Sequence, residues 1–143
     1  MEENNFSLVN LTKIKTSELA LLIGRQVFVL IKNEILGEKY DLSIAFVSER
    51  KSREINKRYR NKDKSTNILS FHLSKTEGEM LLCPALIKRE TKKFGKNFKE
   101  LLEFLVIHGM LHLKGMEHSS RMEIEEEKYL SRIESLIKIK SKK

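Results

Sequence analysis

The chain has 143 residues, of which 40% are hydrophobic and 34% are charged. A length of about 100–200 residues is typical of one domain, and this composition excludes a disordered chain. No apolar run approaches the roughly 20 residues that a transmembrane helix needs, which excludes a membrane-spanning protein. We therefore predict a single folded domain over residues 1–143.

Lysine and arginine together number 28, against 20 acidic residues, so the net charge is +8. This excess favours a polyanionic partner such as nucleic acid, although it is also compatible with ordinary solubility. The acidic N-terminus lacks the basic and apolar segments of a secretory signal, and the single cysteine, Cys83, cannot form an internal disulfide. Both features favour the cytoplasm. With one cysteine, the ligands for any metal are expected to be histidine or carboxylate.

Apolar periodicity predicts helices that alternate with short strands. In chain order we predict a helix over residues 16–35 that ends before Gly37, a strand over 42–46, a helix over 51–59, strands over 68–71 and 80–83, a helix from Pro84 to about 94, a helix from Asn97 to Gly115, and a last helix from Ser120. Asn97 with Glu100 and Ser120 with Glu123 resemble capping boxes. The predicted fold class is α+β, with a small mixed sheet packed by helices.

Three of the four histidines fall in residues 106–118, VIHGMLHLKGMEH. Four residues turn a helix by about 400°, so His108 and His112 stand on one face, one turn apart. An unbroken helix would point His118 almost the opposite way, but Gly115 can take the left-handed conformation that ends a helix and turns the chain back. We therefore predict that His108, His112 and His118 bind one metal ion, rather than being hydrogen-bonded core residues.

The predicted cofactor is one divalent metal ion, most simply zinc, although imidazole ligands also suit nickel. Three histidines leave one position of a tetrahedral ion open for water, which is typical of catalytic sites. Such an ion lowers the pKa of its bound water toward about 7. In metalloproteases a glutamate follows the first histidine, but Gly109 stands here, which argues against peptide hydrolysis.

The histidine segment resembles the metal motif of the YbeY-type endoribonucleases of bacterial rRNA maturation. A second block, residues 56–71, NKRYRNKDKSTNILSF, is similar to the arginine-containing segment of that family. The resemblance extends over roughly residues 42–136. Asn67 and Glu117 stand where the family commonly has aspartate, and His72 stands where proline is usual. The change at Asn67 removes a charge, whereas Glu117 keeps one.

The resemblance implies a metal-dependent endoribonuclease that cuts single-stranded RNA during 3′-end maturation of small-subunit (16S) rRNA and ribosome quality control. It implies that Arg60 is the important arginine near the metal, where its planar fork suits a phosphodiester. Arg58, Lys62 and Lys64 are candidate RNA-binding residues beside it. Tyr59 and Phe71 could stack on bases, but we expect them in the core. The expected partner is RNA, as small-subunit rRNA or the ribosome, with neither DNA nor a membrane involved.

Two other functions stay open at this stage. The first is a metal-dependent hydrolase of another substrate class, such as a peptidase or amidase. The second is a ribosome-assembly factor that binds rRNA without cutting it and uses the metal for structure. The oligomeric state, the native metal and the cleavage site are not predicted.

Overall fold

A computed structural model describes residues 5–15 and 24–141 of the chain. The elements in chain order are β1 (Phe6–Asn10), α1 (Arg25–Ile35), β2 (Asp41–Phe46), α2 (Glu49–Arg60), β3 (Ile68–Ser74), β4 (Glu77–Leu82), α3 (Pro84–Phe94), α4 (Phe98–Leu113) and α5 (Ser120–Ser141). The fold is α+β with a mixed sheet, which confirms the predicted class. The helices of the described ranges are all too short or too polar to span a bilayer.

The four described strands form one sheet in the order β1-β2-β4-β3. β1 and β4 both pair with β2 in parallel, whereas β3 is antiparallel to β4 and lies at one edge of the sheet. β4 alternates between buried Gly78, Met80 and Leu82 and the more exposed Glu79 and Leu81, so the two faces of the sheet differ. The buried face is the one that packs against α4, since Gly78 faces Leu113 and Met80 faces Gly109.

Helix α4 is the centre of the molecule and packs against α1, α3, α5 and strand β3. Nine of its sixteen residues are buried, and apolar residues surround it on almost every side. A helix of this kind belongs in the core rather than at the surface. Its first turn carries the predicted capping box, in which the Asn97 side chain accepts from the Glu100 amide and the Glu100 side chain accepts from the Asn97 amide.

The structure differs from the sequence predictions in three places. Strand β1 was not predicted, because its short, half-exposed sequence FSLVN carries only a weak alternation. The first part of the helix predicted over residues 16–35 lies outside the described residues, and the described helix begins at Arg25. The last helix is capped by Ser119 and not by Ser120, because it is the Ser119 hydroxyl that accepts from the Met122 amide, at 3.2 Å.

Candidate metal centre

Helix α4 places His108 and His112 one turn apart on the same face, as their spacing predicted. Both rings are half-buried, and their centroids lie 4.6 Å apart, edge to face. The surrounding positions of the helix, including Leu105 and Leu111, are buried in the core. The backbone beneath the two imidazoles is therefore held firmly by packing.

A tight turn after α4 brings the third histidine back to the first two. Gly115 has a φ of 106°, a left-handed conformation that suits glycine, and the Met116 amide donates to the Leu111 carbonyl at 3.0 Å. The centroid of the His118 ring then lies 4.8 Å from that of the His108 ring and 4.7 Å from that of the His112 ring. One ligand atom from each histidine falls within 4.8 Å of the others, so the three could hold a metal ion.

Hydrogen bonds fix which nitrogen of each helical histidine faces the cluster. His112 Nδ1 lies 2.9 Å from the Met116 carbonyl, which can only accept, so Nδ1 carries the proton. His108 Nδ1 contacts the carboxylate of Glu126 on α5, which likewise accepts when ionised. Both Nε2 atoms therefore present lone pairs, and they lie 3.1 Å apart.

This arrangement fits a tetrahedral metal ion. Two nitrogens bound to one zinc at about 2.0–2.1 Å are separated by about 3.3 Å, close to the observed distance between the Nε2 atoms. Burial, and then the neighbouring His108, lower the pKa of His112, while its hydrogen bond to Met116 acts in the opposite direction. The lowered pKa favours the neutral imidazole at neutral pH, which is the form that binds a metal.

A cleft of about 600 Å³ opens beside the histidines between α3, α4, α5 and the start of β3. His108, His118 and Glu126 line it together with Asn67 and Ile68. The Asn67 amide donates to the Glu90 carboxylate at 2.8 Å. The Asn67 side chain is uncharged, but it is hydrogen-bonded to the carboxylate of Glu90.

Gly109 packs directly against the sheet. A Cβ at this position would lie 2.7 Å from Ile68 Cδ1 and 3.0 Å from both Met80 Cε and Ser70 Oγ. Real Cβ atoms essentially never approach another atom to 2.7 Å, so the end of the Ile68 side chain would have to shift, and overpacking of a core typically costs about 1–3 kcal/mol. A side chain at the position that holds the glutamate in metalloproteases would therefore require its neighbours on the sheet to move.

Arg60 ends helix α2 and reaches across to β3. Its Nη2 donates to the Ser70 carbonyl at 2.8 Å, and its guanidinium lies 5.7 Å from the centroid of the Phe71 ring. The Ser70 hydroxyl in turn lies 3.4 Å from the carbonyl of Gly109, the residue after His108. Strand β3 thus connects Arg60 to the helix that carries two of the histidines.

The other candidate RNA-binding residues lie at the surface on and after α2. Arg58 is exposed, with its guanidinium 5.7 Å from the centroid of the Tyr59 ring. Lys62 and Lys64 are exposed on the loop that follows the helix. The expectation that Tyr59 belongs to the core is wrong, because 63% of this residue is exposed, while Phe71 is only partly buried.

One residue of the centre, Glu126, was missed by the sequence analysis. The carboxylate considered there was Glu117, which is exposed beside His118, whereas Glu126 is 6% exposed and contacts His108. A signal existed, because α5 has an apolar face and a glutamate falls between Met122 and Tyr129 on its buried side. A buried carboxylate needs a partner, and histidine is the partner here.

The fold and the site together define a small α+β protein with a three-histidine centre of the kind that binds a divalent metal ion. A sequence model of the family Endoribonuclease YbeY matches residues 7–138. The chain belongs to the YbeY endoribonuclease family. Membership confirms the resemblance predicted from the sequence and shows an endoribonuclease.

Individual relatives agree with the family assignment. The chain is 34% identical over 107 residues to the Endoribonuclease YbeY of Staphylococcus carnosus, an alignment that covers 66% of this chain and 70% of the relative. It is 33% identical over 110 residues to the Endoribonuclease YbeY of Francisella philomiragia, which covers 69% of this chain and 70% of the relative. The solution structure of TM1509 from Thermotoga maritima has the same fold, with a TM-score of 0.61, 23% identity, and 94% and 93% of the two chains covered.

The contact between Glu126 and His108 predicts that Glu126→Gln weakens zinc binding about 10- to 100-fold, the usual effect of removing a carboxylate that orients a metal-binding histidine. Glutamine has nearly the same shape, so the core around α5 should persist. The affinity is measured by competition with a chromophoric zinc chelator. The matched control is Glu127→Gln, one residue along and exposed, which should leave the affinity unchanged. Equal zinc affinities for the Glu126 variant and the wild type would contradict the role of Glu126.

Proposed function

We propose that the chain is a metal-dependent endoribonuclease that cleaves single-stranded RNA in the 3′-end maturation of small-subunit rRNA and in ribosome quality control. The whole of residues 1–143 would form one hydrolase domain that acts in the cytoplasm. The observation that carries this proposal is the histidine cluster, in which two Nε2 atoms face each other across 3.1 Å beside an open cleft. The name of the family supports RNA as the substrate, and a net charge of +8 suits a polyanion.

His108, His112 and His118 are the proposed ligands of one divalent ion, with zinc the metal we expect. When bound, the ion supplies an activated water and offsets negative charge on the phosphate. The hydrogen bonds from His108 to Glu126 and from His112 to Met116 hold the imidazoles in a fixed orientation. The cleft beside them is where an RNA strand would enter.

Arg60 is the residue that we propose for binding the phosphate. An arginine guanidinium is a positively charged, planar fork of donors that matches two phosphate oxygens. The hydrogen bond to Ser70 holds one nitrogen of the group at the edge of β3, which leaves the others for substrate. A fixed positive charge of this kind stabilises the charge that develops on phosphate oxygens in the transition state. Arg58, Lys62 and Lys64 would guide the RNA backbone towards it.

The packing of Gly109 supports RNA over peptide as the substrate. Peptide hydrolysis at this motif uses a glutamate at the position of Gly109, and a side chain there would collide with Ile68, Met80 and Ser70. The assembly-factor alternative predicts RNA binding with no metal-dependent cleavage, and the experiment below separates it from the proposal.

His112→Ala should abolish both metal binding and cleavage, since it removes a ligand from the centre of the proposed site. Metal content is measured by elemental analysis, and cleavage is measured on small-subunit rRNA with an extended 3′ end. His72→Ala is the matched control, because His72 is exposed on β3 outside the cluster and should leave both quantities unchanged. Cleavage by His112→Ala without bound metal would contradict the mechanism. RNA binding by a wild type that never cuts would favour the assembly factor.

Arg60→Ala should lower kcat by about 100- to 1000-fold, the typical effect of removing one group that stabilises the transition state. Metal content should not change, because Arg60 makes no contact with the histidines among the described hydrogen bonds. Arg60→Lys should recover only part of the rate, since lysine keeps the charge but loses the planar fork. Arg50→Ala, at a side chain 90% exposed on the same helix, is the control that should behave as wild type. An unchanged kcat for Arg60→Ala would remove Arg60 from the mechanism.

A further inference from the structure

A second groove lies on the other face of the sheet, between α2 and strands β3 and β4, and has a volume of about 380 Å³. This volume is within the range of about 300–1,000 Å³ that is common for ligand sites. The residues that matter for the argument are Arg58, Tyr59, Phe71, Leu73 and Glu79. Phe71 and Glu79 are register partners on neighbouring strands, and they point away from the face that carries Met80 and packs against α4.

Two aromatic rings meet in this groove, and an arginine lies near each ring. The Tyr59 and Phe71 rings pack edge to face with centroids 5.6 Å apart. Arg58 lies 5.7 Å from the centroid of Tyr59, and Arg60 lies at the same distance, 5.7 Å, from that of Phe71. Tyr59 is 63% exposed and Leu73 is 57% exposed, so apolar surface faces solvent here. Aromatic rings accompanied by arginine are the usual means of binding the bases of single-stranded nucleic acid.

The charge around the groove also suits nucleic acid. Six of the twelve residues of α2 are lysine or arginine, and only two are acidic. Arg53 and Lys57 pair with Asp63, whereas within the described part of the chain neither Arg58 nor Arg60 forms an ion pair with a carboxylate. Positive charge that no carboxylate neutralises remains available for phosphates.

Strand β3 leads from the histidine cleft to this groove. Ile68, at the start of the strand, lines the cleft, and Phe71, three residues on, lines the groove. At about 3.3 Å per residue the two are roughly 10 Å apart along the strand. Arg60 lies between them, bonded to the Ser70 carbonyl at the edge of the sheet. One strand of RNA passing over this edge could contact both sites.

Glu79 adds a hydrogen-bond acceptor to the groove. It stands directly across from Phe71 in the sheet, where opposite Cβ atoms lie about 4.5–5.5 Å apart. Glu54, the other acidic residue of the lining, pairs with Arg50 and Lys51 at 3.6 Å and 3.8 Å. A carboxylate beside a stacked base accepts from the 4-amino group of cytosine, whereas uracil carries at that position the carbonyl oxygen O4, which only accepts.

We propose that this groove binds a base of single-stranded RNA outside the histidine cleft, stacked against Tyr59 and Phe71, with Arg58 on the backbone and Glu79 favouring cytosine over uracil. The proposal rests on the proposed function, since it describes how the same RNA substrate is held. It adds a binding surface that is independent of the metal, and it can therefore be tested on metal-free protein.

The test is the affinity of metal-free protein for fluorescent oligocytidylate of about 12 nucleotides, measured by fluorescence anisotropy. Tyr59→Ala should weaken binding about 5- to 100-fold, the usual effect of removing one stacking ring. Tyr59→Trp should bind like the wild type, and Tyr59→Leu should bind like the alanine variant, because leucine keeps apolar area but offers no flat ring. A thermal melt of each variant checks the fold, which should persist because the side chain is largely exposed.

Two further comparisons sharpen the test. Leu11→Ala is the matched control, because Leu11 is also 63% exposed but follows β1 at the opposite edge of the sheet, and it should leave RNA affinity unchanged. Oligouridylate should bind more weakly than oligocytidylate to the wild type, and Glu79→Gln should reduce that difference. Equal affinity of the wild type for the two oligonucleotides would overturn the role of Glu79.

The outcomes separate this proposal from the proposed function. If Tyr59→Ala binds RNA as the wild type does, the groove is not an RNA site and its apolar surface is left to a protein partner, while cleavage by the metal-loaded wild type still supports the nuclease. If the wild type binds RNA through Tyr59 but does not cut it with metal present, the groove proposal stands and the nuclease fails.

Discussion

The candidate metal centre depends on the close approach of two imidazole nitrogens. The Nε2 atoms of His108 and His112 lie 3.1 Å apart, and both rings already donate from Nδ1, to Glu126 and to the Met116 carbonyl. Two lone pairs at this distance repel each other, and a cation bound by both turns the repulsion into attraction. The hydrogen bonds of the site therefore leave both Nε2 atoms available to bind a metal ion, and the exposed His118 lies where a third nitrogen can join them.

The fold contributes rigidity to this arrangement. Two of the histidines stand on a helix buried on most sides, and Gly115 returns the chain so that the third ring can join them. Close packing of Gly109 against the sheet determines the distance between α4 and β3. The same strand carries Ser70, which holds Arg60. Packing of one helix against one edge strand thus sets the positions of the histidines and of the proposed phosphate-binding arginine together.

The sequence predicted those parts of the structure that depend on local spacing. The helical repeat predicts that His108 and His112 share one face, and Gly115 predicts the turn that brings His118 back to them. Both predictions depend only on residues that are close together in the sequence. Glu126 was missed because its contact with His108 spans 18 residues and depends on how α5 packs on α4. The prediction that Tyr59 is a core residue was wrong for a similar reason. The sequence shows an aromatic residue on a helix, but it does not show that the groove between α2 and the sheet is open to solvent. Strand β1 depends on pairing with β2, which its five residues do not reveal.

The most direct test of the central claim is an X-ray structure of protein loaded with zinc, with anomalous data collected at the zinc edge. The account predicts one anomalous peak per chain, about 2.0–2.1 Å from one nitrogen of each of His108, His112 and His118. For His108 and His112 that nitrogen should be Nε2. A structure in which no zinc lies among the three rings, or in which zinc is held by exposed side chains elsewhere, would contradict it.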